Sequence, residues 1–347
     1  MLKINMFSTA TKVKGQGVGS AYLELMQLLK TNFPTEFEVR VNHYQASDIS
    51  HYHTINPTFY LSTFMKNRGR KIGYVHFLPE TLRGSLKLPT PIRQLVDRYV
   101  IAFYRRMDQI VVVNPTFIPK LARYGIPKER IKYIPNFVSR TEFYPAAPDE
   151  KTDLRRKHGY ASHAFTVICT GQVQTRKGVL DFAKLARDNP DYQFIWVGGF
   201  SFGPMTAGYH ELSQLVENPP ANLSFPGILD RAQLREYYQL ADVFLLPSYN
   251  ELFPMSVLEA YACGLPVVLR DLELYREILA GNYLAAKDVV AMGTQLHRLA
   301  SDDSQYQAAC QRARVVSDEY SEAHLAQIWH DFYCQQAALS TSRKDHT

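Results

Sequence analysis

One stretch of the chain, residues 242–266, predicts three elements in a fixed order: a buried strand, a loop and a short helix. The apolar run 243–246 has the length and composition of a buried strand. Pro254 suits the first turn of a helix, where its missing N–H costs nothing. Gly264 suits a left-handed cap at the end of that helix. Such a strand–loop–helix unit is typical of α/β proteins.

Two glutamates eight positions apart, Glu251 and Glu259, fall in the loop and inside the helix of this unit. In open α/β sheets, ligands bind at the carboxyl ends of the strands, where this loop lies. We predict that the N–H groups of Phe253, Met255 and Ser256 point at a ligand there and favour an anion such as diphosphate. Carboxylates on both sides of an anion site fit a nucleotide-sugar, because its hydroxyls can donate to carboxylates at both ends.

Strands and helical patterns alternate along the rest of the chain, which predicts parallel, helix-covered sheets. At 347 residues the chain exceeds what one core usually serves, so we expect two domains, residues 1–145 and 160–318. The segment 140–163 has no clear periodicity and is predicted to link them. An amphipathic helix is expected over residues 320–339. Predicted strands cover residues 2–7, 37–42, 49–53, 73–78, 109–114, 130–135, 165–170, 193–197, 222–225, 243–246 and 266–270.

Composition limits where such a protein would work. Four scattered cysteines without metal-ligand spacing predict free thiols in a reducing compartment. The sequence shows neither a cleavable leader nor an apolar run of the roughly 20 residues that span a bilayer. We therefore expect a cytoplasmic protein that touches membranes only peripherally, and we expect no bound metal or cofactor.

Charge is distributed unevenly. Residues 1–150 hold 21 Lys and Arg against 11 Asp and Glu, whereas residues 151–347 hold 18 against 22. Ten basic side chains lie within residues 60–106, which could form a solvated surface, bind nucleic acid or meet an anionic membrane. Aromatic neighbours such as Tyr60 and Phe64 favour an anionic membrane, because their apolar rings can enter the lipid interface. No nucleic-acid motif accompanies the charge, which makes binding to nucleic acid the less favoured interpretation. The predicted membrane and acceptor face comprises Lys66, Arg68, Arg70, Lys71, Arg93 and Arg98.

Two loops carry further candidate residues. A glycine-rich turn follows the first strand and opens a helix, with Gly15, Gly17 and Gly19. Its N–H groups could face an anion, although such glycines also occur in plain tight turns. The loop 171–178 follows a strand of the second half and contains Arg176 and Lys177. These cations would neutralise a leaving diphosphate; the alternative is an ordinary solvated turn.

Histidines near strand ends are the remaining candidates. His76 lies at the carboxyl end of a predicted strand, where the two halves would face each other. A lone histidine there is more often structural than catalytic, so both interpretations stay open. For His51 and His53 we favour a structural role, because no carboxylate or cysteine pattern makes them metal ligands.

The paired glutamates, the glycine turn, His76 and the loop 171–178 occur together in an order that resembles the retaining glycosyltransferases of family GT4. This resemblance covers nearly the whole chain and implies the GT-B fold, with two Rossmann-like domains facing across a cleft. It also implies that the C-terminal helix crosses back to the N-terminal domain. Two stretches, residues 13–20 and 171–178, are most similar to bacterial enzymes that add a hexose, often galactose, to glucosyl-diacylglycerol.

The resemblance implies a role for each candidate. Glu251 would bind the donor sugar, Glu259 the ribose, and Lys177 with Arg176 the diphosphate. The glycines would border the diphosphate and acceptor, and His76 would lie near the transferred sugar. The family commonly carries arginine where this chain has Gln172, and Arg176 is expected to supply that charge.

These inferences predict transfer of a galactose or glucose from a UDP-sugar to a membrane glycolipid such as glucosyl-diacylglycerol, with retention of configuration. The expected partners are the UDP-hexose, anionic lipids and the glycolipid, without nucleic acid, at the inner face of the plasma membrane. Two alternatives remain. One is a glycosyltransferase that acts on a polysaccharide or protein; the other is a non-enzymatic module that binds nucleotide-sugars or nucleic acid.

Overall fold

A computed structural model of the protein describes residues 1–12, 17–80, 89–201 and 203–344. Within these residues, twelve strands form two sheets of six, and all strand pairs in both sheets are parallel. Helices follow most strands and cover the sheets, because parallel strands need crossover connections. The α/β architecture predicted from the alternating pattern is confirmed.

The first sheet has the strand order β2-β1-β3-β4-β5-β6. Its inner strands β3 and β5 are buried along their whole length, as expected for a parallel sheet that is covered on both faces. The strands are β1 Leu2–Phe7, β2 Phe37–Val41, β3 Ile49–Tyr52, β4 Arg70–Val75, β5 Gln109–Val112 and β6 Ile131–Tyr133. The helices of this half are α1 Gly17–Asn32, α2 Pro57–Ser62, α3 Thr90–Arg105 and α4 Phe117–Arg123.

The second sheet has the order β12-β11-β10-β7-β8-β9. Its strands are β7 Thr166–Thr170, β8 Gln193–Val197, β9 Leu223–Gly227, β10 Val243–Leu246, β11 Val267–Arg270 and β12 Leu284–Ala286. The helices that accompany it are α5 Pro148–Lys157, α6 Val179–Asp188, α7 Tyr209–Glu217, α8 Arg231–Leu240, α9 Met255–Ala262, α10 Glu273–Leu279, α11 Val289–Ser301 and α12 Asp303–Glu319. The last helix is α13 Glu322–Lys344.

Each sheet reverses its strand order at one point. In the first sheet the reversal lies between β1 and β3, and in the second it lies between β7 and β10. At such points the loops leaving adjacent strands run to opposite faces of the sheet and leave a crevice between them. The loops after these four strands therefore have the positions expected for ligand binding.

The C-terminal helix α13 packs on the first sheet. The Nδ1 atom of His51 on β3 lies 2.7 Å from the hydroxyl of Tyr333, and Arg70 on β4 donates to Gln336 at 2.9 Å. Trp329 and Tyr333 are fully buried in this contact. None of the described helices combines the length and apolar character needed to cross a bilayer.

The structure differs from the sequence predictions in several elements, and one of them is strand β12, Leu284–Ala286, which was not predicted. The expected linker 140–163 contains helix α5, whose Arg155 is buried and pairs with Asp242 (2.6 Å). Strand β4 begins and ends three residues earlier than predicted, so His76 directly follows the strand. The last helix continues to Lys344 instead of ending near residue 339. The predicted domain boundaries stay predictions.

Candidate active site

A cleft with a volume of ≈ 480 Å³ separates the carboxyl edges of the two sheets. One wall comes from the first half, with Thr9 after β1, Thr54 after β3 and the start of helix α1. The other wall comes from the loops after β7 and β10 and from the start of helix α9. The cleft therefore lies at both strand-order reversals, where a ligand can contact both halves.

Glu251 lies in the loop after β10 and is held by three groups. Its Oε1 atom is 2.5 Å from Lys177 Nζ and accepts from Ser248 Oγ at 2.5 Å, while Arg176 lies 4.0 Å from its Oε2. Burial pushes the pKa of this carboxyl upward, but the nearby Lys177 and Arg176 charges outweigh burial and hold it below its usual value. Glu251 is therefore a charged, oriented acceptor on the wall of the cleft.

Helix α9 begins with its N-terminus at the cleft. Pro254 directly precedes the first residue of the helix, Met255. Among the described residues at this end, the first backbone N–H group with an acceptor is that of Val257, which donates to the carbonyl of Pro254 at 3.2 Å. The N–H groups of Met255 and Ser256 are therefore free to meet an anion. At the other end, Gly264 has a φ of +77° and closes the helix as predicted.

Glu259 lies inside α9 and also lines the cleft. Its Oε2 atom accepts from the hydroxyl of Tyr238 at 2.8 Å, and that hydroxyl is 2.5 Å from Thr170 Oγ1. Burial raises the pKa of Glu259, and the more distant charge of Arg231 only partly opposes this. The second glutamate is thus held by a neutral phenol, unlike Glu251.

The loop 171–178 approaches β10 so closely that it requires glycine. Gly178 has a φ of +76°, and a Cβ atom there would lie 2.4 Å from the carbonyl oxygen of Pro247. This approach brings Lys177 to Glu251 and lets Arg176 donate to the carbonyl of Asn250 at 3.1 Å. Both predicted cations therefore lie on the cleft wall.

Gln172 also lines the cleft, and a second buried glutamine orients it. Gln174 Nε2 donates to Gln172 Oε1 at 2.6 Å, which leaves the amide NH2 of Gln172 as a neutral donor. Gln172 therefore adds no charge to this wall, and among the described residues that line it the positive charges are those of Lys177 and Arg176.

The glycine-rich turn is described in part. Gly17 lines the cleft opposite helix α9, and a Cβ atom there would lie 3.8 Å from Met255 Cγ. Gly19 packs instead against the carbonyl of Ala10, whose oxygen would lie 3.1 Å from a Cβ atom at this position. Gly19 does not line the cleft. Gly15 lies outside the described residues.

His76 reaches the cleft from the end of β4, although its side chain is largely buried. Burial lowers the pKa of its imidazole to about 3, so the ring is neutral near pH 7. It contacts Tyr74 (ring centroids 4.5 Å apart) and His53 (5.9 Å). His51 and His53 lie below it in the same row of rings and do not line the cleft, which fits their predicted structural role.

The six cations of the predicted membrane face separate in the structure. Lys66 and Arg98 are exposed and Arg93 is half-buried. Arg68 is only 1% exposed, and its guanidinium donates to several main-chain carbonyls, among them that of Gln45 at 2.9 Å. Arg68 is therefore a structural residue, and its assignment to an exposed face is wrong.

Arg70 and Lys71 belong to strand β4 and are partly buried. Arg70 contacts Gln336 on helix α13, and Lys71 pairs with Asp108 at 3.5 Å. Both side chains are engaged within the fold, because the strand begins earlier than predicted. The exposed part of the predicted face is thus limited to the turn after α2 and to helix α3.

Several cleft residues were missed because their partners are distant in sequence. Asn136, in the loop after β6, donates to the carbonyl of Phe253, 117 residues away, at 3.1 Å. Thr9 and Thr54, which line the cleft, were missed as well, and so was Tyr238, which is buried and donates to Glu259. Asn136 directly follows the predicted strand 130–135, and a polar residue at that place is a signal that could have indicated it.

Comparisons with known protein sequences match both halves of the chain to glycosyltransferases. Residues 25–142 match the family model "Glycosyltransferase Family 4", and residues 150–315 match "Glycosyl transferases group 1". The chain is 50% identical to an alpha-galactosylglucosyldiacylglycerol synthase from Streptococcus pneumoniae, over 97% of this chain and 91% of that protein. It is 37% identical to a processive diacylglycerol alpha-glucosyltransferase from Acholeplasma laidlawii, over 51% of this chain and 54% of that protein.

Solved structures show the same fold at low sequence identity. Sucrose-phosphate synthase from Thermosynechococcus elongatus superposes with a TM-score of 0.80 at 17% identity, covering 98% of this chain and all of that one (100%). HepE from Anabaena, in complex with UDP and glucose, gives a TM-score of 0.77 at 16% identity and covers 96% and 99%. The predicted fold is confirmed, and the non-enzymatic alternative is set aside. The chain belongs to the family 4 glycosyltransferases and is a glycosyltransferase with the two-domain GT-B fold.

Proposed function

We propose that this enzyme transfers a hexose, galactose in preference to glucose, from a UDP-sugar to glucosyl-diacylglycerol with retention of configuration. The observation that carries the proposal is the 50% identity, over 97% of the chain, to a protein named alpha-galactosylglucosyldiacylglycerol synthase. A shorter match to a diacylglycerol alpha-glucosyltransferase supports a lipid acceptor. The HepE complex supports a UDP-linked donor for this fold.

In this proposal the second half binds the donor. Glu251, charged and fixed by Lys177, accepts hydrogen bonds from the sugar hydroxyls, and Glu259 accepts from the ribose. The diphosphate lies between them, against the free N–H groups of helix α9 and the cations Lys177 and Arg176. Protein groups then meet the charge that develops on the leaving diphosphate, and the proposal includes no metal.

The reaction is proposed as a substitution on one face of the sugar. The bond between the anomeric carbon and the diphosphate oxygen breaks, and the acceptor oxygen bonds to that carbon from the same side. The acceptor proton passes to the departing diphosphate, so no enzyme nucleophile is required. His76, being neutral, can offer a hydrogen bond beside the sugar without adding charge.

We also propose that the first half docks on an anionic membrane, at the cytoplasmic face, where the glycolipid would be met. Large apolar side chains project from α2, the turn after it and α3; Leu61 is 66% exposed and Leu95 is 69% exposed. Tyr60 on α2 packs on Tyr99 of α3 with centroids 5.5 Å apart, so the two elements form one surface. Exposed Lys66 and Arg98 beside them suit lipid phosphates.

Product analysis tests the proposed activity. The protein is incubated with UDP-galactose or UDP-glucose and with glucosyl-diacylglycerol in phosphatidylglycerol vesicles, or with a soluble oligosaccharide. We expect α-linked galactose on the glycolipid, identified by chromatography and by the anomeric proton signal. Transfer to the oligosaccharide but not to the lipid would favour the alternative of a polysaccharide acceptor, and a β-linked product would exclude retention.

Two variants link this activity to the cleft. Glu251→Ala should lower the rate of transfer at least about 100-fold, because an oriented charged acceptor is lost from the site. Glu217→Ala changes an exposed glutamate at the end of helix α7 and should leave the rate unchanged. Equal activity of both variants would remove Glu251 from the proposal.

A further inference from the structure

A short chain of buried hydrogen bonds joins the two halves of the enzyme at the cleft. The hydroxyl of Tyr74 donates to Asn136 Oδ1 at 3.3 Å, and Asn136 Nδ2 donates to the carbonyl oxygen of Phe253 at 3.1 Å. Tyr74, Asn136 and Phe253 are each 5% exposed. The bonds are therefore shielded from water, and losing one would leave a buried polar group without a partner.

Both ends of this chain lie next to candidate active-site residues. Tyr74 is two residues before His76 and packs on its ring, with centroids 4.5 Å apart. Phe253 is two residues after Glu251 and belongs to the loop that leads into helix α9. Asn136 itself lines the cleft. The chain thus connects the wall that carries His76 with the loop that carries Glu251.

The chemistry of the two neighbours fixes how Asn136 must be oriented. The carbonyl of Phe253 can only accept, so it must face the amide NH2 of Asn136. The amide oxygen then faces Tyr74, whose hydroxyl donates to it. An aspartate at this position would place a carboxylate against the Phe253 carbonyl, and an apolar residue would leave both neighbours unpaired.

We propose that Asn136 is a positioning residue that sets the distance between the donor loop and the acceptor wall. The inference rests on the proposed function, since it assumes that the acceptor is bound against the first half. For transfer, the acceptor oxygen on one side of the cleft must lie close to the anomeric carbon on the other side, so the spacing of the two halves matters. Binding of UDP needs only the second half. Asn136 therefore acts on transfer and not on donor affinity.

The test compares transfer, hydrolysis of the UDP-sugar without acceptor, and UDP binding by calorimetry. Asn136→Ala should lower kcat for transfer about 10–100-fold, because a small misplacement of the reacting groups has effects of that size. UDP affinity should stay within about twofold, and the ratio of hydrolysis to transfer should rise. Tyr74→Phe, which removes only the hydroxyl, should change the ratio in the same direction by about threefold to tenfold.

A matched control separates positioning from general stability. Tyr306→Phe on helix α12 removes another phenol–carbonyl bond, to Asp242 at 3.1 Å, away from the cleft, and should leave the ratio unchanged. If Asn136→Ala and Tyr74→Phe lower transfer, hydrolysis and UDP binding in proportion, or leave the ratio unchanged, the positioning role is wrong.

The unchanged protein is assayed first, so that the two proposals fail in different ways. If it does not transfer sugar to glucosyl-diacylglycerol, the proposed acceptor is wrong. The ratio is then measured with the acceptor that the enzyme does use. A rise of the ratio in the Asn136 and Tyr74 variants with that acceptor would still support the positioning role.

Discussion

At the scale of single residues, Glu251 and Glu259 differ through their surroundings and not through their chemistry. Both carboxyls are buried, which by itself raises a pKa. Lys177, at 2.5 Å, reverses that effect for Glu251, whereas Glu259 has the neutral hydroxyl of Tyr238 as its nearest partner. One carboxyl is held charged and the other holds its proton more strongly than usual, so the two can serve different parts of one ligand.

Replacing Lys177 tests how strongly the Glu251 charge depends on it. Lys177→Met leaves a buried carboxylate supported by Arg176 at 4.0 Å and by Ser248, so the free energy of unfolding should fall by about 3 kcal/mol. Adding Glu251→Gln should recover part of that stability, because the amide carries no charge and can keep the bond to Ser248. Urea unfolding measures both variants, and neither should transfer sugar.

An exposed lysine provides the control for this prediction. Lys157 pairs with Glu236 at 2.8 Å near the surface, and Glu236 keeps His158 as a second partner. Lys157→Met should therefore change the unfolding free energy by less than about 1 kcal/mol. If Lys177→Met is no more destabilising than Lys157→Met, the Glu251 carboxylate does not depend on its lysine.

At the scale of elements, predictions were right where the signal is local. The unit β10–α9 was predicted because its apolar run, Pro254 and Gly264 are close in sequence. The observed unit differs from the prediction at the helix start: Pro254 was expected in the first turn, whereas the helix begins at the next residue, Met255. The basic stretch was predicted less well. Its helix is present as α3, but Arg68 is buried by carbonyls of residues 43–45, which no local pattern indicates.

The surface formed by α2, the turn after it and α3 gives a prediction for membrane binding. Leu61→Ser with Leu95→Ser should weaken flotation with phosphatidylglycerol vesicles about tenfold or more, because two exposed apolar side chains would no longer enter the acyl boundary. Arg98→Glu should weaken it chiefly at low salt. Val290→Ser, which removes a 77% exposed side chain from helix α11, should have no effect.

The surface assignment can be contradicted directly. Flotation of the Leu61 and Leu95 variant that matches Val290→Ser would mean that these side chains do not contact lipid. Flotation that salt leaves unchanged would mean that lipid charge contributes little.

At the scale of the whole molecule, the sequence indicated two domains that face each other, but not which residues make the contacts between the halves. Contacts between the halves join residues that are far apart in the chain, such as Asn136 with Phe253 and Glu24 with Arg231. Asn136, Glu24 and Arg231 are ordinary polar residues in the sequence, and Phe253 takes part through its main-chain carbonyl, so no single position is distinctive. Only the folded arrangement makes them a pair.

Glu24 and Arg231 provide the clearest ion pair between the halves. Glu24 on helix α1 is buried, pairs with Arg231 at the start of helix α8 and accepts from the N–H of Ser139 at 3.1 Å. Arg231 also contacts Glu142 at 2.6 Å. Burial raises the pKa of Glu24 to about 7, although Arg231 opposes the shift. The carboxyl is therefore mostly charged at pH 8.5 and mostly protonated at pH 6.

A double-mutant cycle with Glu24→Gln and Arg231→Met measures this coupling. At pH 8.5 the interaction energy should be about 1–3 kcal/mol, as for a close pair in one network. At pH 6 it should fall to less than half, because a protonated carboxyl keeps at most a hydrogen bond to the guanidinium. The exposed pair Lys184–Asp188, at 2.8 Å, serves as control and should give about 0.3–0.5 kcal/mol at both pH values. Coupling that is equal at pH 6 and 8.5 for Glu24 and Arg231 would show that Glu24 is already ionised at pH 6. Such a result would mean that the contact between the halves does not respond to pH in this range.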